Sequence, residues 1–213
     1  MSGIYFSNQI IMQIKVCGMR DSENISALMT LKPDYIGFIF YDKSKRFVAD
    51  FAQIEIPSTI KKVGVFVNET IEEIIEKANQ HTLDFVQLHG NETPEYCSAL
   101  SAKNIKIIKA FSVDENFDFS AIKPFEKSVS LFLFDTKGNN YGGNGIKFNW
   151  ELLQNYSGKT PFLLSGGISK NDVAEIKKFK HPAFLGIDIN SGFELEPGLK
   201  NIEEIKEFKS LLI

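Results

Sequence analysis

Short apolar runs and amphipathic segments alternate along most of the chain. The runs are three to seven residues long and rich in Val, Ile, Leu and Phe, and many are followed by Gly, Asn, His or Asp. Short apolar runs between turn residues are typical of strands buried on both faces of a parallel sheet. The pattern predicts eight strands, over residues 14–17, 35–40, 62–67, 84–88, 105–111, 131–134, 162–164 and 184–187.

The segments between the runs have helical spacing. After the first run, Asp21 and Glu23 are suited to a first helical turn, and Ile25, Leu28 and Met29 follow at spacings that share one face. Further helical patterns cover residues 71–75, 96–102, 150–153 and 202–208, and the segment between the last two strands. This alternation predicts an α/β fold with a parallel sheet.

Eight strands alternating with helices is the count of a single (β/α)8 TIM barrel. A flavodoxin-like sheet has about five strands, which would leave several apolar runs without a position. The chain has 213 residues, 43% of them hydrophobic, and is long enough for one well-filled core. We therefore predict one barrel domain over residues 14–213.

Residues 1–13 are predicted to be an extension that precedes the first strand. They lack a basic segment, and Asn8 and Gln9 interrupt their apolar character, so they do not resemble a signal peptide. Met12 is an alternative to Met1 as the native start, and the pattern does not choose between them.

Charge and cysteine content exclude several classes of partner. There are 24 basic and 27 acidic residues, mixed along the chain, for a net charge of −3. This balance does not predict binding to nucleic acid or to an anionic membrane, and no apolar run approaches the ~20 residues of a membrane helix. Two cysteines are too few for a disulfide framework, so we expect a reduced, cytoplasmic location.

Two glycine-containing turns follow the last two predicted strands. They cover residues 165–167 and 188–192, and one helical segment separates them. Glycine allows a backbone to approach an anion closely, and barrels commonly hold a phosphate at the late strand-to-helix loops. Either turn alone is more often an ordinary connection. The pair predicts a phosphate site.

Two reactive side chains end predicted strands, where a barrel places its active site. Cys17 ends the first strand and Asp135 ends the sixth. A lone cysteine is more often a small buried apolar residue, but at a strand end it is also a candidate thiolate base or nucleophile. Asp135 is either a turn residue bonded to nearby backbone or a proton donor directed into the barrel mouth.

Arg46 and His89 are further candidates. Arg46 lies in a charged loop, which is usually only solvated, but an arginine over a barrel mouth can also pair with a substrate carboxylate through two hydrogen bonds. His89 can act as an acid, a ligand or a structural residue. No H-x-x-H or C-x-x-C pattern is present, so no metal site is predicted.

From residue 14 onward the chain resembles the phosphoribosylanthranilate isomerase family of tryptophan biosynthesis. Each motif is weak alone, but the order and spacing together are specific. The motifs are Lys15-Val16-Cys17-Gly18-Met19, Gly64-Val65-Phe66-Val67-Asn68, Gln87-Leu88-His89-Gly90, Phe134-Asp135, Gly142-Gly143-Asn144-Gly145, Phe148-Asn149-Trp150, Leu164-Ser165-Gly166-Gly167-Ile168 and Asp188-Ile189-Asn190-Ser191-Gly192-Phe193-Glu194.

The resemblance implies an isomerase that performs an Amadori rearrangement of N-(5-phosphoribosyl)anthranilate without a cofactor. It implies that Asp135 is the general acid, Cys17 the general base, and Arg46 the residue that binds the anthranilate carboxylate. The expected partner is a small phosphosugar substrate, and the expected state is a monomer or homodimer. The residues expected to bind substrate are Arg46, Gln87, His89, Gly166, Gly167, Asp188, Asn190, Ser191 and Gly192.

The chain departs from the family pattern in the last turn, where Asn190-Ser191 stands in place of two serines, and in the order of residues 145–148. An asparagine amide can still donate to phosphate. Two alternatives stay open. One is another phosphosugar barrel, such as a ribulose-phosphate epimerase-like or thiamine-phosphate-synthase-like protein, and the other is a barrel that binds a phosphate ligand without chemistry.

Overall fold

A computed structural model describes residues 12–50, 54–136 and 147–212. Eight parallel strands form a closed barrel in sequence order, and β1 pairs with β8 to close it. The predicted (β/α)8 barrel is confirmed. The strands are β1 Gln13–Cys17, β2 Tyr35–Ile39, β3 Lys61–Phe66, β4 Phe85–Leu88, β5 Ile107–Val113, β6 Leu131–Thr136, β7 Phe162–Leu164 and β8 Phe184–Ile189.

All eight predicted strands are present, and the differences are at their ends. β6 and β8 continue beyond their apolar runs, so Asp135 and Asp188 lie within strands instead of at or after their ends. Apolar patterning could not predict these extensions, because both residues are polar but buried at the barrel mouth. Most of the predicted N-terminal extension, and residues 137–146 of the predicted glycine-rich stretch, lie outside the described residues.

The described residues form five α-helices outside the strands, and none of these helices combines the length and apolar character needed to cross a bilayer. Local capping explains where several begin. The Asp21 carboxylate accepts the Asn24 N–H at 2.8 Å, and Thr93 caps a helix that has Pro94 in its first turn. The helices are α1 Ser22–Thr30, α2 Ile71–Gln80, α3 Pro94–Ser101, α4 Val173–Lys178 and α5 Ile202–Leu212.

Short 3-10 helices replace α-helices after β5 and β6. The predicted helix around residues 150–153 is a 3-10 helix, Trp150–Asn155, and an unpredicted one, Phe119–Phe125, contains Pro124. Proline has no N–H and disrupts a longer α-helix. These short elements still bury Trp150 and Phe125, so they cover the barrel as helices would.

A small antiparallel hairpin, β9 Glu194–Glu196 and β10 Leu199–Lys200, lies between β8 and α5 and was not predicted. Its turn contains Gly198, whose φ of +89° suits glycine. The hairpin brings the side chains of Glu194 and Lys200 to the barrel mouth.

The apolar core has two layers. The inner layer fills the barrel, and the outer layer lies between the strands and the helices. The outer layer contains a group of contacting aromatic rings around β6 and β7. Inner residues include Tyr35, Val63, Ile108, Ala110, Leu131, Leu133 and Leu163.

A buried ion pair joins β5 to the loop that follows β4. The Lys109 ammonium lies 2.9 Å from the Glu92 carboxylate and donates to the Gly90 carbonyl at 2.8 Å. Glu92 also accepts the N–H groups of Asn68 and Gly90. Since both charges are buried and paired, this pair fixes the loop that follows β4.

We expect Phe162→Ala to lower the free energy of unfolding by about 3–5 kcal/mol, because it leaves a cavity in the aromatic group. The Phe162 ring is fully buried, 5.1 Å from the Phe134 ring and 5.9 Å from the Tyr156 ring. Urea unfolding measures the change. Leu211→Ala is the control, since Leu211 is 50% exposed, and its effect should stay within about 0.5 kcal/mol. Equal losses in both variants would contradict this account of the core.

Candidate active site

All of the predicted site residues line one pocket at the carboxyl ends of the strands. Parallel strands of a closed barrel end at the same rim, so side chains far apart in sequence meet there. Ser165, in the first predicted phosphate turn, also lines the pocket. Further lining residues for which no individual role was predicted are Ile39, Tyr41, Ser44, Val65, Val67 and Ile168.

Cys17 is the last residue of β1 and is 4% exposed. Its neighbour on β2 is Gly37, where a Cβ would lie 2.8 Å from the Cys17 sulfur. A glycine is therefore required to make room for the thiol. Burial raises the pKa of the thiol above 9.0, while Lys15 and Lys200 act in the opposite direction.

Lys15 and Asp188 form a buried ion pair beneath Cys17. Their strands are paired at this position, and the ammonium lies 2.9 Å from the carboxylate. Ser165 donates its hydroxyl to the other Asp188 oxygen at 3.3 Å. Burial alone would lower the pKa of Lys15, but Asp188 and Cys17 together raise it, so the lysine stays charged. Sequence reasoning missed Lys15, although its position two residues before Cys17 places both on one face of β1.

Asp135 is held at the mouth by its own strand and by the turn after β7. One carboxylate oxygen accepts the Thr136 N–H at 2.8 Å. Gly166, at φ +93°, passes close by, and a Cβ there would lie 3.0 Å from the same oxygen and closer still to Thr136. A side chain at residue 166 would displace Thr136 and the Asp135 carboxyl group, so glycine at this position keeps the carboxyl group in place.

His89 faces Asp135 across the pocket. Its Nε2 lies 3.3 Å from the second Asp135 oxygen, and the amide nitrogen of Gln87 lies 3.1 Å from Nδ1. The Asp135 contact does not have hydrogen-bond geometry. Among the described residues, His89 Nε2 therefore has no hydrogen-bond partner. The buried Gln87 Oε1 has none there either. Buried polar atoms without partners are uncommon, and these two belong to residues that line the pocket.

Arg46 is already paired with Glu194 of the hairpin. The guanidinium donates to both carboxylate oxygens, at 2.8 Å from Nε and 2.6 Å from Nη2. The Lys200 ammonium forms a second ion pair with the Glu194 carboxylate. Burial alone would raise the pKa of Glu194, but Arg46 and Lys200 hold it below 4.5. Sequence reasoning predicted an arginine open to a ligand and missed the pairing, because the hairpin was not predicted.

Lys200 also orients Asn190. Its ammonium donates to the Asn190 side-chain oxygen at 2.7 Å, and Lys200 itself is 1% exposed. With its oxygen bound, the Asn190 amide presents its NH₂ group as the remaining donor. No sequence signal pointed to Lys200, which is separated from the pocket residues by the hairpin turn.

The two glycine turns touch each other. Gly166 and Gly167 both have positive φ, at +93° and +64°. In the other turn, a Cβ on Gly192 would lie 2.1 Å from the Ile168 carbonyl oxygen. Glycine is needed at residue 192 for this close approach, which joins the turns into one surface. In the described part of the chain, no group of three or more His, Cys, Asp or Glu side chains is arranged to hold a metal ion.

Comparison with known proteins identifies the family. A family model described as N-(5'phosphoribosyl)anthranilate (PRA) isomerase matches residues 14–210. The chain belongs to this family. The N-(5'-phosphoribosyl)anthranilate isomerase of Parabacteroides distasonis is 50% identical over 206 residues, which cover 92% of this chain and 91% of that protein.

Solved structures of the family have the same fold. Phosphoribosyl anthranilate isomerase from Thermotoga maritima is 32% identical with a TM-score of 0.82, over 95% of this chain and 98% of that one. A second isomerase structure, in complex with reduced 1-(o-carboxyphenylamino)-1-deoxyribulose 5-phosphate, is 30% identical with a TM-score of 0.79 over the same shares of the two chains.

We expect Cys17 to react slowly with iodoacetamide at neutral pH, because the thiolate is the reactive form and burial raises the pKa of the thiol above 9.0. The rate should keep rising beyond pH 9. Peptide mass spectrometry resolves Cys17 from Cys97, whose pKa burial raises to about 11. A rate for Cys17 that reaches its plateau near pH 7 would contradict the expectation.

Proposed function

We propose that this protein converts N-(5-phosphoribosyl)anthranilate to 1-(2-carboxyphenylamino)-1-deoxyribulose 5-phosphate in tryptophan biosynthesis. The observation that carries the proposal is that Cys17, Asp135 and the two glycine turns line one pocket in a chain of this family. An aldose-to-ketose isomerisation needs an acid and a base on opposite sides of the sugar. β1 and β6 are well separated around the barrel and can supply one each.

In the first step, Asp135 protonates the ring oxygen of the ribose. The C1′–oxygen bond breaks, and the anthranilate nitrogen supplies the electron pair that forms a protonated Schiff base. The Thr136 N–H fixes one oxygen of Asp135, which leaves the other as the proton donor. His89, 3.3 Å from that second oxygen, is suited to contact the opened sugar.

In the second step, the Cys17 thiolate removes the proton from C2′, and the resulting enolamine relaxes to the ketone. Burial raises the pKa of the Cys17 thiol and so disfavours the thiolate. The positive charge of the Schiff base formed in the first step favours it, since a nearby opposite charge lowers the pKa of an acid. The Cys17 thiolate therefore forms at the step in which it removes the C2′ proton. Both steps are proton transfers and require no electron acceptor, so no cofactor is proposed.

The two joined glycine turns are the proposed phosphate site. In the first turn, the positive φ values of Gly166 and Gly167 orient backbone N–H groups in a way that suits an anion. In the second turn, Asn190, with its oxygen bound by Lys200, adds a side-chain donor. Ser191 and Gly192 lie on the same surface. The phosphate would thus fix one end of the substrate while Cys17 and Asp135 act on the ribose between the phosphate and the anthranilate.

Arg46 is proposed to bind the anthranilate carboxylate, although Glu194 already occupies part of its guanidinium. Arginine has five N–H donors, and the bonds to Glu194 use two of its three nitrogens. Nη1 and the remaining N–H of Nη2 are available to a second carboxylate. Glu194 therefore orients the arginine, and Lys200 balances the additional negative charge.

We expect Cys17→Ala and Asp135→Asn each to reduce kcat by about 10²–10⁴-fold, the usual contribution of a positioned acid or base. Turnover of substrate generated in situ is followed by the loss of anthranilate-type fluorescence. Cys97→Ala is the matched control, because Cys97 lies in α3 away from the pocket and should leave kcat unchanged. An inactive wild-type protein that still binds a product analogue would favour a binding-only barrel.

We expect Arg46→Ala to raise KM by about tenfold to a hundredfold, as the loss of a hydrogen-bonded charge predicts, with a smaller change in kcat. Steady-state kinetics separate the two constants. Lys43→Ala, in the same loop but exposed and outside the pocket, is the control. An unchanged KM in Arg46→Ala would remove Arg46 from the substrate-binding residues.

A further inference from the structure

Lys15 is a buried cation in a position where barrels normally have apolar side chains. It lies on the inner face of β1 and is 0% exposed, whereas inner layers are usually filled by branched apolar residues. Lys15 does not belong to the described residues that line the pocket. Its ammonium is therefore held beneath the surface of the pocket.

The ammonium has two neighbours of opposite kind. On the β8 side it lies 2.9 Å from the Asp188 carboxylate. On its own strand, Cys17 lies two residues along on the same face of β1, and both side chains are buried. On the β2 side, Lys15 is paired with Tyr35, whose hydroxyl donates to the Gln13 side chain at 2.7 Å. Cys17 is paired with Gly37, which has no side chain. Lys15 thus stands between a carboxylate and the thiol of the proposed base.

We propose that Lys15 is a positioning residue that stabilises the thiolate of Cys17, and that Asp188 keeps Lys15 charged for this purpose. The proposal deepens the proposed function and rests on it, since it explains how the base of that reaction ionises inside a barrel. Lys15 acts through Cys17 and not on the substrate.

The other charged groups around Cys17 do not replace Lys15. Asp188, on β8, disfavours the thiolate by its own negative charge, and Lys200, on the hairpin, favours it less strongly than Lys15 does. The Lys200 ammonium is committed to Glu194 and Asn190. On the other elements at the mouth, Arg46 is paired with Glu194, and His89 and Asp135 face each other.

Lys15 favours the Cys17 thiolate and Asp188 disfavours it, so the two residues act on Cys17 in opposite directions. This difference distinguishes the proposed role of Lys15 from simple structural support. A structural ion pair would be damaged similarly by removing either partner. If Lys15 stabilises the thiolate, its removal suppresses ionisation of Cys17. Removal of the Asp188 charge leaves the thiolate as the remaining anion beside Lys15 and promotes ionisation.

The test is the rate of alkylation of Cys17 by iodoacetamide between pH 6 and 10, followed by peptide mass spectrometry. At about pH 8, we expect Lys15→Met to slow alkylation at least about tenfold, which corresponds to one pKa unit, and Asp188→Asn to accelerate it at least about threefold. The double variant Lys15→Met/Asp188→Asn leaves no unpaired charge buried and should still react more slowly than the wild type.

Lys109→Met is the matched control. Lys109 is 2% exposed and paired with Glu92 at 2.9 Å, but it is on β5, away from Cys17. This variant should lose stability while Cys17 reacts within about twofold of the wild-type rate. If Lys15→Met fails to fold, the double variant carries the test. Unchanged alkylation in the double variant, or single variants that change it in the same direction, would overturn the proposal.

The alkylation assay uses no substrate, so its result is independent of the proposed function. Opposite shifts in the two single variants, together with no turnover by the wild type, would uphold the role of Lys15 and reject the isomerase. Turnover by the wild type with no shift in either variant would uphold the isomerase and reject the role of Lys15.

Discussion

The pairing of β1 with β8 is the interaction on which the site depends. It closes the barrel and brings Lys15 beside Asp188, although 173 residues separate them. The same closure brings Cys17 to the turn that carries Asn190 and Ser191. A sheet that remained open at this edge would place the proposed base and half of the proposed phosphate surface on opposite borders of the molecule.

The fold also buries charge, and in the described part of the chain three buried lysines are each paired with a specific anion. Lys15 is paired with Asp188, Lys109 with Glu92, and Lys200 with Glu194. A buried pair adds little stability over an apolar core but is costly to break. The pairs at the mouth therefore hold side chains in one arrangement: they keep Lys15 near the thiol, orient Asn190 and set the direction of Arg46.

The strands and turns at the mouth are organised by close contacts that only glycine permits. Gly37 leaves space for the Cys17 sulfur, and Gly192 approaches the Ile168 carbonyl so closely that a Cβ would clash. These contacts are steric, so they constrain the site independently of charge. Steric and electrostatic constraints meet at Cys17, whose sulfur is confined by Gly37 and whose ionisation is opposed by burial and favoured by Lys15.

The sequence by itself determined the eight strands, the barrel and the set of polar residues at its mouth, because apolar periodicity and strand ends are local features. It could not determine the 3-10 helices, the extra length of β6 and β8, or the hairpin, which depend on packing. The pairing of Arg46 with Glu194, the anchoring of Asn190 by Lys200, and the position of Lys15 beneath Cys17 were decided by tertiary structure alone. The first and third join segments that are 148 and 173 residues apart and meet only in the closed barrel, and the second depends on the hairpin.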